Sequence, residues 1–309
     1  MNLSNHNNWH HVQLKINYVF LVLAVVLLCA CEKDDEVLPT YKDRDWFVRL
    51  DSDNELDHYI YEVYTDMGIS ILYSDTVGQE TRYNNGGEPY TYYHTLKFGY
   101  NLQTWTPPGS YKQSYDRKEI LCGAKVLGEE ILPLIPEKMR SRVYLLANSL
   151  DIKLGYGNLP NKAAFRDLNF TIIGRLNDLD TMSVETKKDY ICDVISVDQG
   201  AYLQEMYKDK LKTFYDVTDS MEYYGQKMNQ WYGQLFYGMT NAPEEFGFLR
   251  WLKLDDRNTA YTLDRLTDLE LFIALITRRS KEEIEVMYAD YPCVLQKCEA
   301  IRTLLESLE

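Results

Sequence analysis

The segment from Ser183 to about Leu211 constrains the fold most, because it reads as one long central helix. The Ser183 hydroxyl can cap the first free N–H groups. Beyond it Ile191, Val194, Ile195 and Ala201 return at helical spacing and share one face. Val194, Ile195 and Val197 are expected to be largely buried where the helix meets the rest of the chain. A small sheet should be close by. Residues 169–176, where Phe170, Ile172 and Gly174 alternate with Thr171 and Ile173, read as a strand, and so do residues 142–154. Asn177-Asp178-Leu179-Asp180 then turns the chain into the helix.

Most of the remaining chain reads as helix. Asp51-Ser52-Asp53 opens one that carries Leu56, Ile60, Val63, Tyr64 and Met67 on one face and stops at Gly68. Residues 69–73 follow as a strand. Further helices are predicted over 119–135, 214–249 (broken at Asn241-Ala242-Pro243), 264–277 and 281–308. Residues 75–118 differ in character. Asn84-Asn85-Gly86-Gly87 and Pro107-Pro108-Gly109 are turn chemistry, and Tyr90, Tyr92, Tyr93, Phe98, Tyr100 and Trp105 lie between them without helical periodicity. That pattern predicts a long loop or irregular hairpin. It is either a lid packed by its own aromatics or a surface on which a sugar or peptide stacks. The whole reads as one α+β domain over 48–309, helix-dominated, with a small β-sheet packed against a central helix.

The N-terminus reads as an address. Lys15 precedes an apolar run from Ile16 to Ala30, broken only by Asn17 and short for a membrane span. It closes with Leu28-Cys29-Ala30-Cys31, which resembles a bacterial lipobox with Cys31 as the lipidated residue. Residues 1–30 are then a signal peptide and 31–47 an acidic tether that starts Glu32-Lys33-Asp34-Asp35-Glu36. The expectation is a lipoprotein anchored in the outer membrane and exposed at the cell surface. A formal net charge of −14 argues against a nucleic-acid partner, since nothing offers the phosphates a basic face.

Histidine usage bears on cofactors. His6, His10 and His11 leave with the leader, so only His58 and His94 remain, nowhere near adjacent turns of one helix. A helix-borne zinc centre needs two imidazoles one turn apart, so none is expected. Cys122, Cys192, Cys293 and Cys298 match no metal-binding spacing. No G-x-S-x-G, phosphate loop or dinucleotide fingerprint occurs.

Three landmarks carry a family resemblance. They are Glu55-Leu56-Asp57-His58-Tyr59-Ile60-Tyr61-Glu62, the passage Phe170-Thr171-Ile172-Ile173-Gly174-Arg175-Leu176-Asn177-Asp178-Leu179-Asp180, and Phe246-Gly247-Phe248 with the helix from Thr267. Together they resemble the substrate-import-associated zinc metallohydrolase lipoproteins of Bacteroidetes, a metallopeptidase-like family. The resemblance implies a zincin-like scaffold working beside a SusC/SusD-type importer of glycans or peptides. It places Val197 and Ala201 at the two zinc-ligating histidine positions and Asp198 at the general-base glutamate of H-E-x-x-H. Leu271, or its neighbour Glu270, falls near the later acidic position. Two aliphatic residues where imidazoles belong imply a lost zinc centre.

The leading function is therefore a catalytically inactive accessory lipoprotein that binds a glycan or peptide for import. Its expected binding surface is a cleft lined by Tyr92, Tyr93, Trp105 and Tyr223. The alternatives are a peptidase-like hydrolase with a non-canonical site and a purely structural subunit of the importer. Acid pairs such as Glu129-Glu130 and Glu244-Glu245 are available for the former, but neighbours on a helix point apart.

Overall fold

The computed structural model describes residues 44–99, 108–154, 157–219, 223–225, 227–228, 242–253 and 260–308. Cys31, the leader, nearly all of the tether and Trp105 lie outside them. Residues 46–309 form one compact α+β unit.

Helix α1 (Glu55–Met67) is capped by Asn54, whose side chain accepts from the Leu56 N–H, and it ends at Gly68 with φ 67°. After β1 (Ser70–Leu72), β2 (Thr76–Tyr83) and β3 (Pro89–Thr95) pair antiparallel. Of the two readings of this segment, a long loop or an irregular hairpin, the structure has the hairpin, with its register shifted between Thr76 and Gly78. Asn84 organises its turn, with Oδ1 accepting from the N–H groups of Gly86 and Glu88. Strand β4 (Gly109–Lys112) leads to α2 (Arg117–Lys125), which widens into a π-helical turn over Val126–Ile131.

The predicted strand over 142–154 is two, β5 (Val143–Leu146) and β6 (Ser149–Leu154), in different sheets. Then come β7 (Gly157–Leu159), β8 (Ala164–Arg166), β9 (Thr171–Ile173) and the central helix α3 (Val184–Met206), with Ser183 accepting from the Thr186 N–H. Of the predicted helical stretch 214–249, the described residues hold helix α4 (Lys212–Asp219) and β10 (Lys227–Met228), which joins β11 (Leu252–Lys253) and β12 (Ala260–Tyr261) in a small sheet; residues 229–241 lie outside the described ones. Helix α5 (Arg265–Arg278) starts at its Asp264 cap. The last predicted helix is broken into α6 (Lys281–Met287) and α7 (Pro292–Glu306). Pro292 is the cause: it lacks an N–H and disfavours helical backbone at Tyr291, so a helix can only restart there.

The main sheet runs β1-β5-β9-β8, with β5 parallel to β1 and β9, and β8 antiparallel at the edge. Both faces are covered, so β1, β5 and β9 are buried throughout rather than alternating with solvent, while the edge strand β8 is partly exposed. Tyr144, Leu146 and Ile173 face the core built with α3, whereas Val143, Leu145 and Ile172 join Leu150 and Ile152 of β6. Val194 and Ile195 of α3 are fully buried, and Val197 nearly so. Helix α5 packs on α3 at Gly200, where an added Cβ would stand 3.3 Å from Glu270 Cγ.

Candidate functional site

Val197, Asp198 and Ala201 all fall on α3, and the first two are spent on packing. Val197 is 3% exposed within the main core, Asp198 is fully buried and Ala201 is half-buried. Asp198 meets a row of side chains running across three strands. Tyr144 on β5 is in register with Thr171 on β9, which is in register with Arg166 on β8. Thr171 Oγ1 and Arg166 Nη1 donate to Asp198 Oδ1 at 2.7 and 2.8 Å, and Tyr144 Oη donates to Oδ2 at 2.5 Å. Tyr144 in turn accepts from the Ser141 N–H at 3.0 Å. Burial first, and the Asp198 charge second, hold the Tyr144 phenol well above its ordinary pKa, so it remains a donor. A general base has to reach the proton it removes. Asp198 is sealed against solvent and committed to three donors, so its role here is to fasten α3 to the sheet.

Glu270 lies against the same helix, beside Gly200. Lys162 Nζ donates to it at 2.9 Å, yet burial pushes its carboxyl above the usual range. Leu271 packs in a separate apolar cluster with Phe248, Leu252 and Leu263. These residues do not fit a zinc centre. Val197 and Ala201 have no lone pairs, and among the described residues no group of three His, Cys, Asp or Glu side chains is placed to hold a metal ion.

The next residue of the helix, Gln199, looks elsewhere. It borders a groove of about 970 Å³ between the 134–139 turns, α5 and the end of α7. Leu134, Pro136, Met139, Ile276, Leu305 and Leu308 supply apolar walls, and Glu137, Lys138, Arg302 and Glu306 supply charge. Gln199 is 7% exposed, and its Oε1 has no hydrogen-bond partner in the protein.

Of the aromatic residues expected to line a cleft, the described ones, Tyr92, Tyr93 and Tyr223, are not brought into one surface. Tyr92 and Tyr93 are 37% and 56% exposed and, as neighbours on β3, point to opposite faces of the hairpin. Tyr92 belongs to a ladder in which Trp46 stacks on His94 at 4.4 Å, His94 meets Tyr92 edge-on at 5.0 Å, and the Arg82 guanidinium lies 3.4 Å from the Tyr92 ring centre. Tyr223 sits instead against Phe246 in the cluster with Phe248. Trp105 is outside the described residues.

Sequence reasoning missed Gln199 and the three donors to Asp198. One signal was present: Asp198 follows Val194 by four residues and Ile195 by three, which puts it on their buried face. No family model matches this chain, and no curated protein or solved structure matches it either.

Proposed function

We propose that this chain is a lipid-anchored accessory protein of the outer membrane that captures short peptides for a SusC/SusD-type importer, without metal-dependent hydrolysis. One observation carries the reading. The helix turn at which the resemblance would locate catalysis seals Asp198 into the sheet and sets Gln199, whose buried amide oxygen is unpartnered, at the edge of an open groove. A buried acceptor left unpaired costs about 1–3 kcal/mol, which a ligand N–H would recover once the Gln199 side chain rotates to present its oxygen to the groove. The groove volume of about 970 Å³ is on the scale of small-ligand sites. Its walls are aliphatic and its lining holds no aromatic ring, which suits a peptide with an aliphatic side chain better than a sugar.

The test is calorimetric titration of the full-length protein in detergent with Leu-Gly-Gly and, separately, with maltohexaose. The same preparation is assayed for zinc after incubation with the metal and desalting. Expected are tripeptide binding that Gln199→Leu abolishes, no response to the sugar and no retained zinc. One tightly held zinc per chain, or no peptide binding, overturns the reading.

A further inference from the structure

Away from α3, the inner face of α7 carries a lysine. Lys297 lies three residues after Val294 and four before Ile301, both fully buried, and is itself fully buried. Its Nζ donates to Asp268 Oδ2 on α5 at 2.6 Å, to Tyr224 Oη at 2.9 Å and to the Gly247 carbonyl at 2.9 Å. Phe214, Phe272, Phe248 and Tyr224 place their ring centres 4.7 to 5.2 Å from Nζ. Asp268 is also fully buried. Its two oxygens are treated unequally: Oδ2 receives both Lys297 and the Tyr224 hydroxyl, at 2.6 Å, whereas Oδ1 has no partner. The carboxyl is thus polarised, with Oδ1 left as a bare carbonyl oxygen and Oδ2 gathering proton donors.

We propose that Lys297 and Asp268 condense into an intramolecular amide that ties α7 to α5. One ammonium proton first passes to Oδ2 and frees the Nζ lone pair, which attacks Cγ; the Nζ–Cγ bond forms and the Cγ–Oδ2 bond breaks. A second proton of the ammonium follows to Oδ2, which leaves as water while the third stays on the amide nitrogen. Charge and atoms balance without oxidant, metal or co-substrate. The competing state is a permanent buried ion pair, which the ring faces and the three acceptors also stabilise. Proximity favours the amide. Two groups locked in contact react at an effective concentration reaching roughly 10⁵–10⁸ M when well oriented, and a dry site offers little water to hydrolyse the product. Burial, opposed by Lys297 and Tyr224, also raises the Asp268 pKa, which eases loss of the carboxylate charge.

The experiment is tryptic digestion of the denatured, reduced full-length protein, read by mass spectrometry. If the amide forms, cleavage after Lys297 is lost, and peptide 266–278 appears joined to 282–302 in a branched species lighter than their sum by one water. Lys297→Arg and Asp268→Ala should each abolish that species. Because either variant could misfold, the wild-type digest decides by itself. Full recovery of 266–278 and 282–297 as separate peptides of unmodified mass would leave an ion pair and overturn the proposal.

Discussion

Replacing Asp198 by alanine tests whether this residue holds the fold or serves a lost reaction. The substitution leaves Tyr144 Oη and Thr171 Oγ1, both on fully buried residues, without their acceptor. Each orphaned donor costs about 1–3 kcal/mol. Arg166, with a side chain 26% exposed, recovers part of its hydration and adds less. The sum is about 4 kcal/mol, within the roughly 3–5 kcal/mol seen when one partner of a buried charge pair is removed. In a domain of this size each kcal/mol moves the melting temperature by about 2–4 °C, so Asp198→Ala should melt roughly 8–16 °C below wild type. Asp198→Asn keeps an acceptor for Thr171 and Arg166 but turns an amide N–H₂ towards Tyr144, and should lose about half as much. Thermal unfolding followed by circular dichroism on full-length proteins at neutral pH gives both values. A melting point for Asp198→Ala within about 2 °C of wild type would refute the fastening role.

Three further outcomes follow from the same structure. Burial holds the Glu270 carboxyl above its ordinary pKa of 4.5, so the folded state keeps a proton that the unfolded state releases. The stability this group contributes is greatest in acid and is lost as pH rises from about 4.5 through the folded pKa; Glu270→Gln should flatten that decline, and parallel stability–pH curves would contradict it. Gly200→Leu places a side chain where a Cβ alone meets Glu270, Ile273 and Leu266 at 3.3 to 3.7 Å, and should cost about 1–3 kcal/mol in a urea titration. An unchanged midpoint would mean α5 yields freely. Cys31→Ala should move the protein from the membrane fraction to the soluble one, and retention at the membrane would rule out a lipid anchor at that residue.

Much of the fold was legible because its signals are local. Ser183 and Gly68 act at the helix ends where the sequence places them, and Asp264 caps the helix predicted to begin there. The stripe through Val194 and Ile195 is buried as its spacing requires. What was missed depends on longer range. Ala147 and Asn148 divide two strands whose separation shows only once β5 joins one sheet and β6 another. Lys297 sits in register with the apolar stripe of α7, yet the stripe alone does not reveal that Asp268 waits opposite. The donors at positions 144, 166 and 171 converge only because β5, β9 and β8 are neighbours, an order no spacing encodes.

That convergence bears on how the chain finds its native pairing. The alternation of a strand means that a one-residue slip exchanges its two faces. If β9 slipped against β5, Ile172 or Phe170 would take the place of the Thr171 hydroxyl beneath α3, and the buried carboxylate would lose a donor. A slip of β8 would withdraw the Arg166 guanidinium and leave Asp198 with its charge uncompensated. The three strands are short enough that hydrophobic contacts alone discriminate weakly between such arrangements, since Ile172 and Ile173 are equally apolar. A single acidic side chain therefore acts as a proofreader of the sheet: it accepts one alignment of three strands and penalises each of the others.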